Sequence, residues 1–469
     1  MKESIWNTKN VIISTKITVF SILVVLLGKT STLAAAFFLV GLSILGCVYF
    51  GYRRDYYTII YFIIFNAFQT LVLVLVSSSL NSIQNNIIMI SKEIMIYWGA
   101  LLYFLNFKIK KRDIIFILFL VIALLNLMEV YNIRTALSSL RQIMVIFLCY
   151  YSGHSIRITS IKEMNCIIKV IIIVGLIVVI LGFGLRLITN QDWISLGYGK
   201  YWNNRTSGMS AVDFTNFYSW DLGVRIKRMV STFCNPIACA HYLGFSFLIL
   251  YSANFIKEKK YIIMFLFVGL LACVSKSTIL ILVCLCIIVL YARLHDTNSK
   301  VLLWILSAIV VASALLSLSA YISTINVETA TSIHFSSFMQ GIKNGTFFGY
   351  GLGSVGYNAS IMGLGETASG FSESFFSTCV AQIGYIGTFF IYVFMVSIAR
   401  ESFTVYKKIK NKIYLISTVL LSSVLIESFF SASAISMQGT GIYFILGGLL
   451  AKNIELFKVT KNERERKIL

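Results

Sequence analysis

The chain has 469 residues, of which 58% are apolar and only 13% are charged, and it contains one proline. A soluble protein carries about twice that share of charged residues, so the composition excludes a soluble globular fold. The net charge of +21 does not indicate a nucleic-acid partner, because the basic residues stand in small groups between apolar segments. Since helices satisfy their own backbone hydrogen bonds in lipid, we expect an all-α polytopic membrane protein.

Windows of roughly 17 to 25 nearly uncharged residues recur along the chain, and each predicts a transmembrane helix. We predict about fourteen spans in a single integral membrane domain, residues 1–469. Their approximate bounds are 11–28, 32–50, 56–76, 87–107, 113–129, 136–152, 165–188, 233–254, 261–274, 277–292, 301–321, 374–399, 413–431 and 437–451.

The apolar stretch from Tyr261 to Arg293 is about 48 Å long as one helix, too long for a single crossing of a ~30 Å hydrocarbon core. Basic residues flank it on both sides, and its polar break is Ser275-Lys276-Ser277. Because basic connections stay in the cytoplasm, we predict a hairpin with Lys276 at its outer tip. The same rule places both termini in the cytoplasm.

Two long polar stretches, 189–232 and 323–372, then fall on the outer face, where we predict two large extracytoplasmic loops. The first ends in Arg225-Ile-Lys227-Arg228 and runs into a span that opens at Asn235-Pro236. Asn235 suits a helix N-cap, and a helix start adds amide donors and partial positive charge. These three cations and Asn235 are therefore candidates for binding a lipid-linked phosphate or pyrophosphate, although ordinary anionic headgroups would satisfy them equally.

Three further basic residues are candidate ligands. Arg205 lies in the first loop. Lys276 stands alone at the outer tip of its hairpin, although basic residues are expected on the cytoplasmic side, so it either serves a site or extends its amine to the membrane interface. Arg141 lies near the outer end of the sixth span, and an intramembrane arginine indicates a function by default. A structural pair of Arg141 with Glu129 or Glu93 is the alternative.

The second loop carries the run Gly349-Tyr-Gly351-Leu-Gly353, whose glycines permit close approach of the backbone to a substrate. Glu373 follows at the entrance of the next span, where it is a candidate general base or a charge that complements the helix dipole. His334 is the other candidate base in this loop, or a plain loop histidine. The nine cysteines lie mostly within spans, and their spacing indicates no metal site.

Four segments resemble the bacterial O-antigen polymerase and ligase superfamily, the Wzy and WaaL type membrane glycosyltransferases. They are Arg228-Met-Val-Ser-Thr-Phe-Cys-Asn235-Pro236, Ser275-Lys276-Ser277, Gly349-Tyr-Gly351-Leu-Gly353, and Ser372-Glu373-Ser374-Phe-Phe with the following Gly384-Tyr-Ile-Gly387. The tip residue is lysine here where the family has arginine. Ligases of the family typically have histidine where Glu373 stands, which favours a polymerase over a ligase.

The resemblance implies a GT-C-like bundle in the bacterial cytoplasmic membrane that polymerises polyprenyl-pyrophosphate-linked oligosaccharides on its outer face. It implies metal-independent transfer without a cofactor, and a chain-length regulator protein as a further partner. Arg228 would act on the pyrophosphate, Glu373 or His334 would take the acceptor proton, and the aromatic residues Tyr198, Tyr201, Trp202 and Trp220 would stack on sugars. An O-antigen ligase acting on a lipid core and a flippase for lipid-linked oligosaccharides remain the alternatives.

Overall fold

A computed structural model describes residues 52–80, 82–105, 109–128, 132–206, 214–219, 225–293, 330–356 and 373–457, together with the single positions 44, 48, 49 and 212. This part of the chain is helical apart from one two-stranded pairing and short connections. It divides into two compact units. The first comprises Met1–Phe107, Leu148–Thr278 and Met437–Leu469, and the second comprises Lys108–Phe147 and Ile279–Ser436.

The described α-helices are, in chain order, α1 Tyr56–Val76, α2 Ser82–Leu105, α3 Lys111–Met128, α4 Ile133–Ser155, α5 Ile161–Leu187, α6 Asn190–Ser195, α7 Tyr198–Thr206, α8 Pro236–Ser252, α9 Lys259–Ala272, α10 Lys276–Arg293, α11 Ala330–Asn344, α12 Phe375–Ile409, α13 Lys412–Glu427 and α14 Gly441–Lys452. Strand β1, Tyr218–Ser219, pairs antiparallel with β2, Ile226–Lys227.

Five of these helices, α1, α2, α4, α5 and α12, are long and apolar enough to cross a membrane, and α8, α10 and α14 are shorter apolar helices. The all-α membrane class is therefore confirmed at this level. Hydropathy also located the helices well, since the predicted span 56–76 coincides with α1. The predicted spans 11–28 and 301–321, and nearly all of 32–50, lie outside the described residues. The total of fourteen spans stays a prediction.

The helices of the first unit pack closely where small residues face a neighbour. A Cβ atom added to Gly175 of α5 would lie 2.9 Å from the Ser246 side chain of α8, and one added to Gly269 of α9 would lie 2.5 Å from Val179. Small residues let membrane helices approach each other closely. The interior of α5 is buried on most sides, so it serves as the central helix against which α1, α8 and α9 pack.

The second unit is organised around α12, which packs against α3, α11 and α13. This helix is interrupted at Gly384, whose φ of 70° and ψ of 177° are not helical. Further along, Arg112 of α3 forms an ion pair with Glu401 of α12, with an Nη1 to Oε2 distance of 2.7 Å. The Arg112 guanidinium also donates to the hydroxyl of Ser397, and this set of bonds fixes α3 along α12.

Both polar stretches contain helices, although the sequence predicts them only as loops. In the first stretch α6 begins with a capping box, in which Thr189 and Asp192 satisfy each other's backbone amides. In the second stretch α11 occupies Ala330–Asn344, and Ser377 of α12 donates to its Ser337 carbonyl at 2.7 Å. Short amphipathic helices held by such tertiary contacts give little hydropathy signal, which explains why the sequence did not reveal them.

Candidate functional site

The segment that leads into α8 carries Arg228 on a turn held by two backbone bonds. The Arg228 amide donates to the Phe217 carbonyl at 2.8 Å, and the Met229 amide donates to the Ala272 carbonyl at 2.9 Å. The Arg228 side chain reaches the same neighbouring turn, with its Nε donating to the Cys273 carbonyl at 3.2 Å. Arg228 is half-buried, and this bond orients its side chain.

Two more cations lie along the same segment of backbone, Lys227 immediately before Arg228 and Arg186 against the Lys227 carbonyl. Arg186, in the last turn of α5, donates from Nε to the Lys227 carbonyl at 3.0 Å, and the Lys227 amine donates to the Ile188 carbonyl. Burial lowers the pKa of the Lys227 amine, the neighbouring Arg186 guanidinium lowers it further, and Asp192 acts in the opposite direction. We call Arg186, Lys227 and Arg228 the cationic cluster. Like charges held together at a partly buried position favour an anionic ligand.

Sequence reasoning missed Arg186, because it treated the residue as part of an apolar span. Its position in the last turn, immediately before the polar stretch, was the available signal. Arg225, which the sequence did single out, is exposed, and its guanidinium carbon lies 3.7 Å from the centre of the Tyr218 ring. That ring is tied down in turn by a 2.9 Å bond from its hydroxyl to Asn190. The cation–π contact fixes the position of the guanidinium at the surface of the first unit.

The backbone around the cationic cluster is strained. Ser231, Cys234 and Val274 all have positive φ angles, of 47°, 49° and 46°. This conformation is uncommon for residues other than glycine and is a clear outlier for a β-branched residue such as valine. Backbone strain of this kind concentrates at functional sites. Ser231 and Cys234 lie within six residues of Arg228 along the chain. Val274 directly follows Cys273, whose carbonyl accepts the hydrogen bond from the Arg228 side chain.

Asn235 acts as the N-cap of α8, as the sequence predicted. Its Oδ1 accepts from the Ile237 and Ala238 amides at 2.9 and 3.0 Å, and Pro236 occupies the first turn. This role occupies the side-chain oxygen, so Asn235 contributes to a site mainly by fixing the helix start. The start of α8 lies eight residues after Arg228 and adds its partial positive charge to that of the segment.

The break in the long apolar stretch is also where the sequence placed it, since α9 ends at Ala272 and α10 begins at Lys276. Lys276 is exposed, whereas the flanking Ser275 and Ser277 are buried and share a 3.1 Å hydroxyl contact. Because Arg228 binds Cys273, the structure brings Arg228 and the turn that precedes Lys276 together. That this turn faces the outside stays a prediction.

The aromatic residues of the first loop do not serve as a sugar platform. Tyr198, Tyr201 and Trp202 are buried, with at most 8% of their surface exposed. They form a small core with Trp193 and Phe217 that packs against the ends of α1 and α2. Their side chains are needed to fold the loop, so the prediction that they stack on sugars is wrong. Trp220 lies outside the described residues, and so does the side chain of Arg205, which belongs to α7.

The second unit brings the two candidate bases together. His334 Nδ1 on α11 lies 3.5 Å from Glu373 Oε2 and 3.2 Å from the Glu373 carbonyl oxygen. Both side chains are partly accessible, with 29% and 46% of their surface exposed. Sequence reasoning named each residue separately as an alternative to the other. The structure places the two side chains next to each other.

Glu373 is positioned by the start of α12. The next residue, Ser374, caps the helix and donates to the Phe429 carbonyl at 2.8 Å, while the Glu373 carbonyl accepts from the Ala432 amide at 3.1 Å. These bonds tie the turn to the end of α13, where Glu427 is buried.

The glycine run fills the break in α12. The Tyr350 amide donates to the Ala381 carbonyl at 2.7 Å, and the Tyr385 amide donates to the Thr346 carbonyl at 3.0 Å. Gly351 and Gly353 are buried and have φ angles of 93° and 77°, so their conformation favours glycine. Both therefore have a clear packing function, and neither lies on an accessible surface where a substrate would reach it.

Arg141 is exposed on α4 and belongs to the second unit. The structure thus groups Arg225, Lys227, Arg228 and the Lys276 turn in the first unit, and Arg141, His334 and Glu373 in the second. In the described part of the chain, no group of three or more His, Cys, Asp and Glu residues is arranged to hold a metal ion.

No protein-family model matches this chain, and no curated protein sequence is significantly similar to it. The case for a function therefore rests on the residues and their geometry.

Proposed function

We propose that this protein polymerises polyprenyl-pyrophosphate-linked oligosaccharide repeat units into a surface polysaccharide or O-antigen on the outer face of the bacterial cytoplasmic membrane. The observation that carries the proposal is the cationic cluster of Arg186, Lys227 and Arg228. Three cations beside a strained turn and a helix start fit a multiply charged anion such as a pyrophosphate.

The cluster has the chemistry that a pyrophosphate leaving group requires. As the bond between the donor sugar and the pyrophosphate breaks, negative charge grows on the departing oxygen. Donors fixed in advance stabilise such charge without reorganising during the reaction. Arg228 meets this requirement because its Nε is anchored on Cys273, and the planar guanidinium of an arginine matches the geometry of phosphate oxygens.

The acceptor step is assigned to Glu373 and His334 on the chemistry of these two side chains within the second unit. The acceptor sugar hydroxyl attacks the anomeric carbon of the donor and forms the new glycosidic bond. The bond from that carbon to the pyrophosphate oxygen breaks, and its electron pair leaves with the pyrophosphate. The hydroxyl proton passes to Glu373, or to His334 with Glu373 orienting the ring. No metal or cofactor takes part in the proposed reaction.

The wider setting follows from the same proposal. The chain would form a GT-C-like bundle of about fourteen spans with both termini in the cytoplasm and two extracytoplasmic loops. Its donor and acceptor would both be lipid-linked glycans in the bilayer, and a chain-length regulator would be its protein partner. The exposed aromatic side chains of Phe347, Phe348 and Tyr350 replace the buried first-loop residues as candidates for stacking on sugars.

Two alternatives share much of this chemistry. A ligase would use the same donor but transfer the glycan to a lipid core. A flippase for lipid-linked oligosaccharides is favoured by one observation, the break of α12 at Gly384, because transporters often contain interrupted membrane helices. Reconstituted protein that moves the lipid across a liposome bilayer without extending the glycan would establish the flippase.

The test of the polymerase is an extension assay with purified lipid-linked repeat units and the full chain. Arg228→Ala should lower the rate by about 10²- to 10³-fold, the loss typical of removing one fixed donor. Arg228→Lys should be markedly impaired, because an ammonium group does not reproduce the planar fork. Arg157→Ala, which removes an exposed arginine far along the chain from the cluster, is the matched control. Native activity in Arg228→Ala would refute the assignment.

A further inference from the structure

A line of buried polar side chains crosses the first unit beside the cationic cluster. Asn66 of α1 is fully buried, and Lys92 of α2 is only 8% exposed. The Lys92 amine donates to Asn66 Oδ1 at 3.4 Å, and Asn66 Nδ2 donates to the Gln438 carbonyl at 2.8 Å. Buried polar groups of this kind are costly in a membrane helix unless each finds a partner.

Gln438, three residues before α14, connects this line to the turn that follows Arg228. Its Nε2 donates to the Thr70 hydroxyl of α1 at 2.7 Å and to the Phe233 carbonyl at 3.3 Å. Phe233 ends the short 3-10 helix Ser231–Phe233. The Gln438 side-chain amide therefore connects α1 and the strained turn to the segment that precedes α14.

The turn needs such a partner because its own conformation is unfavourable. Ser231 and Cys234 have positive φ angles on either side of Phe233, a conformation that is unfavourable for residues other than glycine. Strained conformations persist only where surrounding contacts over-determine them. The Ser231 hydroxyl bonds to the Val178 carbonyl at 2.6 Å, and the bond from Gln438 to Phe233 holds the opposite end of the turn.

We propose that Gln438 is a positioning residue for the anion site. It holds the Phe233 carbonyl, so that the strained turn keeps Arg228 directed toward its ligand, and Asn66, Thr70 and Lys92 hold Gln438 in place. The choice of a polyprenyl pyrophosphate as that ligand rests on the proposed function. The positioning of the turn rests on the contacts alone.

A purely structural role predicts a loss of stability and nothing more, so a matched control is needed. Gln69 provides it, since its buried amide on the same helix α1 donates to the Ile88 and Met89 carbonyls of α2. Gln69→Met removes an amide that is more buried than that of Gln438 without touching the turn at 231–234. Gln438→Met removes the two bonds to Thr70 and Phe233 while retaining the volume of the side chain.

The experiment measures two properties of the full chain in detergent. Amide hydrogen exchange over residues 229–236 reports on the turn, and binding of farnesyl pyrophosphate reports on the anion site. Gln438→Met should accelerate exchange in this segment and raise the Kd about five- to tenfold, the ratio expected for one lost hydrogen bond. Gln69→Met should change neither property, although both variants should melt at a lower temperature than the native chain.

Unchanged exchange in Gln438→Met, or equal changes in both glutamine variants, would overturn the positioning role. If Gln438→Met does not fold, Thr70→Val is the substitute, because it removes the hydroxyl that orients the Gln438 amide. It should change hydrogen exchange and the Kd in the same direction but by less. Arg228→Ala separates the two proposals. If this variant binds farnesyl pyrophosphate as tightly as the native chain, the anion site fails, while the exchange measurement still decides the role of Gln438.

Discussion

The contact between His334 and Glu373 can be tested for function separately from stability. Glu373→Gln keeps the shape of the side chain and removes its charge and basicity. The two groups lie 3.5 Å apart with 29% and 46% of their side-chain surfaces exposed. A contact this accessible contributes at most about 1 kcal/mol to stability, and the second contact, from His334 to the Glu373 carbonyl, survives the substitution.

The expected effect on the rate is much larger. Removing a general base costs roughly 10²- to 10⁴-fold, equivalent to about 2.7 to 5.5 kcal/mol of activation free energy. We therefore expect Glu373→Gln to bind lipid-linked substrate and melt close to the native temperature, yet to lose at least 100-fold in chain growth. His334→Gln should lose a similar factor, and the double variant should be little worse than either single one, because residues that act as a unit are not additive.

Glu401→Gln is the matched control for this prediction. It removes a carboxylate from the same helix α12, where Glu401 is paired with Arg112 at 2.7 Å and is more buried than Glu373. It should lower the melting temperature at least as much as Glu373→Gln while leaving the rate of extension unchanged. Chain growth within about threefold of native in both Glu373→Gln and His334→Gln would refute the proposed base, since a general base contributes far more than that.

Three further predictions follow from individual positions. Cysteine introduced by Lys276→Cys should react with an impermeant reagent added to intact spheroplasts, and labelling only after permeabilisation would place this turn on the inner side. The pKa of the Lys227 amine is lowered from 10.5. Pyrophosphate affinity should therefore fall as the pH rises through that lowered pKa, and Lys227→Arg should shift the fall to higher pH. Identical plots of affinity against pH for the two proteins would contradict this prediction. Gly384→Ala should destabilise the protein by more than about 3 kcal/mol, because the new Cβ would lie 2.1 Å from the Phe347 carbonyl oxygen. Gly184→Ala should stabilise the protein slightly, because there is open space around that position. Equal melting temperatures for the two variants would contradict the packing argument.

The sequence was a good guide wherever the relevant physics is local. Hydropathy located α1 to the residue, and the Asn235-Pro236 pair gave the start of α8, because capping depends on adjacent residues. The polar break at Ser275-Lys276-Ser277 marked the division between α9 and α10 for the same reason. Such features are fixed by a few neighbouring side chains and need no knowledge of the rest of the fold.

Features that depend on distant contacts could not be predicted this way. Nothing near Gln438 in the sequence indicates that its amide reaches Phe233, 205 residues away. The burial of Tyr198 and Trp202 depends on the ends of α1 and α2, so their aromatic character suggested sugar stacking when they form a core. Arg186 was assigned to a span because hydropathy alone does not separate the last turn of a membrane helix from its middle.

The glycine run shows why a sequence motif and a substrate site need not coincide. An interrupted membrane helix leaves backbone amides and carbonyls that lipid does not satisfy. In α12 the run supplies their partners, and a Cβ atom at Gly349 would lie 2.6 Å from the Gln382 carbonyl oxygen, so only a residue without a side chain fits there. The motif is thus accounted for by the folding of the break at Gly384. The candidates in the second unit for contact with a substrate therefore lie beside the run. They are Glu373 and His334, whose side chains are accessible.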